Sequence, residues 1–355
     1  MLNFSLLDKQ LEERQPFEKR ANVTKNLSEA SANQNENRLI LAMQPIDAES
    51  TEKTFANGES VKSQLQIWLP AEYRVNFAYQ GSVTNNTHIR IHSDIDLLAF
   101  HGGFVLRDGA PQAPGLGINV IDALTRLRAS TVSTLKSKFP TYIVDSNPGK
   151  SVAVSGPALS SKIDVVNGNW WDTLEYQRTQ VLSDRGISIL NSKVPETIQN
   201  KPFDHNRKID EKDRQTGGLR KGIRLLKTLK YSSAPQLSIS SYDIAALVWN
   251  MSVSTLNVDE NAYLNLAENI FKELCHFVDN QPVRDAMMVP NGTRKVFVAG
   301  GATLDGLKAL RDNLQMLLYG LQKEASASAI KGIHRMAYPN LWQEVLPRSV
   351  RIHSY

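Results

Sequence analysis

The sequence predicts an α+β chain in two parts, a mixed α/β core and a helical lobe that follows it. Between residues 70 and 170, short apolar and β-branched runs alternate with turn residues around one clear helix; from about residue 172 the strand signals fade and apolar residues recur at helical spacing. The expected division is residues 1–180, a core with N-terminal helices, and residues 181–355, a mainly helical lobe. With 41% hydrophobic and 22% charged residues over 355 positions, and no repeat of 20 to 50 residues, the composition excludes fibrous, solenoid and disordered classes.

Residues 5–31 read as a charged, largely helical start, followed by the polar run SANQNENR, where a loop is expected, and a second helical pattern near Arg38 to Met43. Ile118 to Lys138 is the helix of the core: Val120, Ala123, Leu124, Leu127 and Leu135 form a stripe suited to burial against a sheet. The segment KPFDHNRKIDEKDRQTGG, residues 201–218, is charged and ends in two glycines, which predicts a loop leading into a helix over about 219–231. Two further helices follow from Ala267, Ile270, Phe271, Leu274, Cys275 and Val278, and from Leu304, Leu307, Leu310, Leu314, Leu317 and Leu318. The closing run AYPNLWQEVLPRSVRIHSY has no strong pattern. Cys275, the one cysteine, falls in an apolar helical pattern and is expected as a buried core thiol in a reducing cytoplasm.

The chemistry concentrates in GSVTNNTHIRIHSDIDLLAF, residues 81–100. Gly81 allows a backbone to approach a phosphate and Ser82 adds a hydroxyl donor, while Asp94 and Asp96 alternate along a probable strand. Residues i and i+2 of a strand share a face about 6.5–7 Å apart, so both carboxylates can grip the same cations. In SKIDVVNGNWW, residues 161–171, Asp164 stands among Ile163, Val165 and Val166, where an unpaired acid costs several kcal/mol unless it is paired or binds a metal. The alternative for Asp164 is an acid at a strand end, capping a turn at Asn167-Gly168. Oxygen ligands of this kind suit Mg²⁺, whose shell is completed by water and substrate phosphates. Arg220, Arg224 and Lys227 share one face of the helix over 219–231, a basic stripe suited to a triphosphate.

These motifs are similar to the polymerase-beta-like nucleotidyltransferases: Gly-Ser, then Thr87, then Asp-Ile-Asp-Leu, and later Ile-Asp-Val-Val. IRLLKTLKY at 223–231 and ISSYDIAALVW at 239–249 extend the likeness to the bacterial CD-NTases, relatives of cyclic GMP-AMP synthase and oligoadenylate synthase, over roughly residues 70–250. The resemblance implies a polymerase-beta-like core with a mixed sheet and a C-terminal helical lobe. It implies catalysis through Asp94, Asp96 and Asp164 with two Mg²⁺ ions, or Mn²⁺, and a triphosphate held by Gly81, Ser82, Arg224, Lys227 and Ser241 with Tyr242 stacked on the base. The expected activity is template-independent synthesis, from NTPs, of a cyclic di- or trinucleotide or short oligonucleotide messenger that acts on an effector in antiphage defence, with a regulatory protein as a further partner. The rivals are transfer of nucleotides to RNA or protein, and a non-catalytic nucleotide-binding relative. Two residues depart from the family pattern: Asn86 stands where Gly precedes the Thr, and Asn167 where Pro often follows Asp-Val-Val. Asn tolerates the left-handed backbone the first position can require.

A net charge of +5 suits an anionic ligand, although so modest an excess spread over this length is more often a solvated surface than a polynucleotide track. No segment approaches the 18 or so continuous apolar residues of a membrane span, and Asp8, Lys9, Glu12, Glu13 and Arg14 stand where an export signal would be apolar. PGKS at 148–151 lacks the first Gly of a phosphate-binding loop, and His88, His92 and His101 lack the alignment of a zinc site.

Overall fold

The computed structural model describes residues 1–28, 33–91, 93–109 and 119–330; the expectations for His92, Ile118 and the closing run lie outside them. Four helices open the chain: α1 (Phe4–Glu13), α2 (Phe17–Leu27), α3 (Gln34–Met43) and α4 (Ala48–Trp68). The Asn-rich run is thus partly helical, because Asn35, Arg38, Leu39, Ala42 and Met43 place one buried face on α3. Helix α4, capped by the Asp47 carboxylate on the Ser50 N–H, went unread because its buried positions are partly Ser, Thr and Gly.

Next come β1 (Asn76–Gln80), β2 (Ile95–Arg107), α5 (Val120–Lys138), β3 (Ile143–Asp145), β4 (Val152–Ser155), β5 (Ile163–Asp172), the short α6 (Leu174–Thr179), β6 (Gly186–Asn191) and β7 (Glu196–Asn200). They form a mixed seven-stranded sheet of order β1-β2-β5-β4-β3, with β6 on the far half of β5 and β7 beside it. Only β2 and β5 run parallel among these pairs. One face, with Ile95, Leu97, Ala99 and Val165, packs on Val61 and Leu65 of α4 and Leu124 and Leu127 of α5. The opposite face carries Leu98, Phe100 and Val166 against Ile187 and Ile189 of β6. The rest is helical: α7 (Pro202–Thr216), α8 (Leu219–Tyr231), α9 (Ser241–Asn250), α10 (Val253–Leu256), α11 (Tyr263–Asp279), α12 (Gln281–Ala286) and α13 (Leu304–Ile330). Among the described residues no helix is long and apolar enough to cross a membrane.

The structure corrects the sequence reading at several points. Strands do not end near residue 172: β6 and β7 continue the sheet, built by Ile187 and Ile189 on one short alternating run. Residues 202–216 are helix rather than loop, since Asp204 pairs with Arg207 and Lys208, Arg207 with Glu211, and Ile209 is buried; Gly217, at φ 65°, is the stop. The boundary near residue 180 does not hold in space. Residues 2–43 supply Leu7, Leu11, Leu39 and Met43 to one core with α8, α9, α11 and α13, so the N-terminal helices belong to the helical half, while 186–200 belong to the sheet. Cys275 packs at the edge of that core and is only partly buried.

Asn167-Gly168 is not a turn: β5 runs straight through it. A Cβ on Gly168 would stand 2.6 Å from the Ser188 carbonyl oxygen, so glycine is there to admit the backbone of β6. Gly168→Ala is therefore expected to destabilise the fold by about 1–3 kcal/mol, read as a lower urea midpoint; an unchanged midpoint would show that β6 moves aside freely.

Candidate active site

Gly81 leaves β1 at φ 93°, and a Cβ there would lie 2.3 Å from Asp96 Oδ2, so both backbone conformation and space require glycine. The loop closes on itself: the Asn85 N–H donates to the Gly81 carbonyl at 3.2 Å, and the Thr87 N–H to the Ser82 carbonyl at 2.8 Å. Asn86 sits at φ 52°, the left-handed conformation foreseen for it.

The parallel pairing of β2 and β5 is in register with Asp96 opposite Asp164, which puts the two carboxylates side by side on one face; Asp94 precedes β2 by one residue. Asp96 is partly buried and lines a cleft. Burial, then the charges of Asp164 and Asp94, push its carboxyl up to about 7, against the pull of Lys162. Asp164 accepts from Ser151 Oγ at 3.1 Å. Lys162 Nζ lies 2.9 Å from both Asp94 Oδ2 and Asp164 Oδ2, and although burial opposes it, those bonds raise the ammonium above the usual lysine range. A cation between these carboxylates is thus already in place, supplied by the chain itself. Among the described residues no group of three or more His, Cys, Asp or Glu side chains is arranged as a complete metal site; Asp96 and Asp164, side by side, offer oxygen ligands of the kind a hard divalent ion takes, its shell then completed by water and phosphate oxygens.

Gly81, Ser82, Asp96, Lys227, Ser241 and Tyr242 line one cleft of about 320 Å³ between the sheet edge and the helices. Lys227 is 5% exposed and donates to the Thr87 carbonyl at 2.6 Å. Burial, followed by repulsion from Arg14, Lys230, Arg224 and Arg90, pushes it down to about 7. Ser241 begins α9, its hydroxyl 3.4 Å from that of Tyr231. Tyr242 donates to Asn291 Oδ1 at 2.9 Å and stacks on His205 with ring centroids 5.0 Å apart.

Arg224 departs from expectation. It does not line the cleft: its Nε donates to the Met43 carbonyl and its Nη1 to the Asn86 carbonyl, each at 2.7 Å. Arg220 likewise donates to the Asn85 carbonyl and pairs with Asp210 and Asp213. The basic stripe faces the loop, with only Lys227 reaching the cleft. Sequence reasoning also missed Lys162, His205, Asn200 and Asn291. Lys162 had a signal, two residues before Asp164; His205 was hidden by reading α7 as a loop. Burial pushes His205 down to about 4, the charge of Asp204 opposing, so its ring is neutral at pH 7.

Comparison with known proteins bears on the family and the fold. Residues 207–318 match the cGAS/DncV-like nucleotidyltransferase C-terminal helical domain. The chain is 37% identical over 266 residues to a cyclic dinucleotide synthase CdnE of Yersinia aleksiciae, covering 73% of this chain and 69% of that protein. It is 28% identical to a c-di-GMP synthase of Capnocytophaga granulosa, covering 90% and 98% of the two. The solved structure of a STING-associated CdnE c-di-GMP synthase from Capnocytophaga granulosa superposes with a TM-score of 0.74 at 26% identity, over 90% of this chain and 99% of that one. With a mixed sheet bearing paired aspartates, a helical lobe of the matching family and a relative this similar over most of its length, the chain belongs to the bacterial CD-NTases and is a nucleotidyltransferase.

Proposed function

We propose that this chain joins two nucleoside triphosphates into a cyclic dinucleotide, a second messenger read by an effector in antiphage defence. The observation that carries the reading is the in-register Asp96–Asp164 pair beside a cleft whose opposite wall presents Lys227, Ser241 and Tyr242. The names of the Yersinia and Capnocytophaga relatives support the product class. Enzymes of this family use divalent metals; Asp94, Asp96 and Asp164 would hold two Mg²⁺ ions, or Mn²⁺, which when bound neutralise the reacting phosphates. Gly81 and Ser82 offer the triphosphate a close backbone and a hydroxyl, Lys227 a charge, and Ser241 a second hydroxyl at a helix start. The base lies against the wall made by Tyr242 and its stacked partner His205. A ribose hydroxyl of one nucleotide attacks the α-phosphate of the other: the P–O bond forms as the hydroxyl gives up its proton to water, the bond from the α-phosphorus to the α–β bridging oxygen breaks and pyrophosphate leaves. A second such step in the opposite sense closes the ring, releasing two pyrophosphates in all.

Incubation with labelled NTPs and Mg²⁺, followed by phosphatase and chromatography, is expected to show a phosphatase-resistant dinucleotide, abolished by EDTA and by Asp94→Ala, Asp96→Ala or Asp164→Ala. Extension of added RNA, or label on a protein band, would refute the reading.

Because Lys162 pairs with two of the carboxylates and is itself 39% exposed along its side chain, a metal has to displace a pair of modest strength. Lys162→Ala is expected to tighten Mn²⁺ binding roughly fivefold in calorimetry without nucleotide; equal affinity would mean that the ammonium does not compete.

Asp96 also sets a pH dependence. Its folded-state value, raised to about 7 from 3.8, makes a contribution to stability that is whole below pH 4 and lost as pH rises through 7. In EDTA, Asp96→Asn should therefore melt about 2–5 °C above the parent at pH 8 and level with it at pH 4. A difference independent of pH would contradict the assignment.

A further inference from the structure

Helix α8 and the loop after Gly81 are joined rung by rung. Arg220 Nε donates to the Asn85 carbonyl at 2.8 Å, Arg224 Nη1 to the Asn86 carbonyl at 2.7 Å and Lys227 Nζ to the Thr87 carbonyl at 2.6 Å. Three residues on one helix face, spaced i, i+4 and i+7, thus hold three consecutive peptides, loop and helix running in the same direction. Hydrogen bonds from a charged donor are roughly twice as strong as neutral ones. Within the loop, the Thr87 N–H to Ser82 carbonyl bond and the Asn85 N–H to Gly81 carbonyl bond pass this hold back to the two residues at the cleft.

The same cations tie down a third element. Arg224 also takes the Met43 carbonyl, while Arg14 donates to the carbonyls of Ala42 and Gln44 and to Thr228 Oγ1. The C-terminal carbonyls of α3 are therefore capped by guanidinium groups, where a helix dipole favours positive charge. Arg220 is pinned from its outer side by Asp210 and Asp213, and Arg224 is 5% exposed. Neither is free to meet a phosphate.

We propose that Arg220 and Arg224 are positioning residues: through the carbonyls of Asn85 and Asn86 they fix Gly81 and Ser82 against the helical half, and they do so without touching the nucleotide. The proposal rests on Gly81 and Ser82 being the triphosphate loop, the reading given above. It separates a holding role for two cations from the ligand role of the third, Lys227.

Hydrogen exchange by mass spectrometry on the protein free of metal and nucleotide tests the hold independently of catalysis. In Arg220→Ala, and in the milder Arg224→Lys should Arg224→Ala fail to fold, peptides spanning residues 81–88 are expected to exchange about 10- to 100-fold faster, with β5 and α11 unchanged. In steady state kcat should fall at least tenfold, as about an ångström of misplacement would cause, while affinity for a non-reacting triphosphate analogue stays within about threefold. Arg224→Lys should recover part of the kcat that Arg224→Ala loses. Unchanged exchange at 81–88, or faster exchange everywhere, would overturn the proposal. So would an affinity loss in Arg224→Ala that grows from mono- to triphosphate, since that marks direct contact. If the parent turns over no NTP, the catalytic reading fails while the exchange result still decides whether the loop is held.

Discussion

The constraint on which the structure turns is the placement of like charges side by side in poor solvent. Parallel pairing of β2 with β5 sets Asp96 and Asp164 next to each other with Asp94 close by, and burial makes the charge on Asp96 cost more. The sheet is arranged to bear this. Flanking residues Ile95, Leu97, Leu98 and Ile163 are fully buried on both faces, so the strands cannot separate to relieve repulsion without exposing a large apolar area. Lys162 supplies the missing positive charge from the strand's own approach. The fold thus maintains an electrostatically unfavourable cluster that a cation improves, as expected for a site whose stability and activity pull in opposite directions.

Across the cleft the problem is inverted. Arg14, Arg224 and Lys227 are buried together, and the hydrogen bonds they make go to carbonyl and hydroxyl oxygens. Carbonyl dipoles solvate a cation without cancelling its charge, so the wall stays positive, and mutual repulsion with burial lowers the value of Lys227. On the proposed reading, a triphosphate with its metals would answer both walls at once.

The sequence made the carboxylates legible because acids inside β-branched runs are rare enough to stand out. Gly81 and Ser82 followed from turn chemistry, the left-handed Asn86 from the glycine that the resembled family has at that position, and α5, α11 and α13 from periodicity. What stayed hidden was of two kinds. Strands β6 and β7 depend on an edge already formed, which no short window of sequence contains; the i,i+3 and i,i+4 ion pairs of α7 were in the sequence, but its high charge and Gly-Gly end read as a loop. The Asn167-Gly168 pair carries a turn signature, yet tertiary crowding by β6 requires the same glycine for another reason. Arg224 was correctly placed on the basic face of α8. What that face meets, a row of backbone carbonyls, depends on how the loop docks and cannot be read from charge alone.

The helical core is assembled from both ends of the chain, residues 2–43 and residues 209–321, with the sheet inserted between. This arrangement imposes an order on synthesis. A ribosome adds about 5–20 residues per second, so α1–α3 emerge roughly ten to forty seconds before α8, which shares a core with Leu7, Leu11 and Met43. During that interval the strands, α4 and α5, which share a core, are made, while α1–α3 have only one another to pack on. The nascent protein therefore completes its acidic wall first and its basic wall last, and becomes competent to bind nucleotide only when the returning helices close on the segment that was made first.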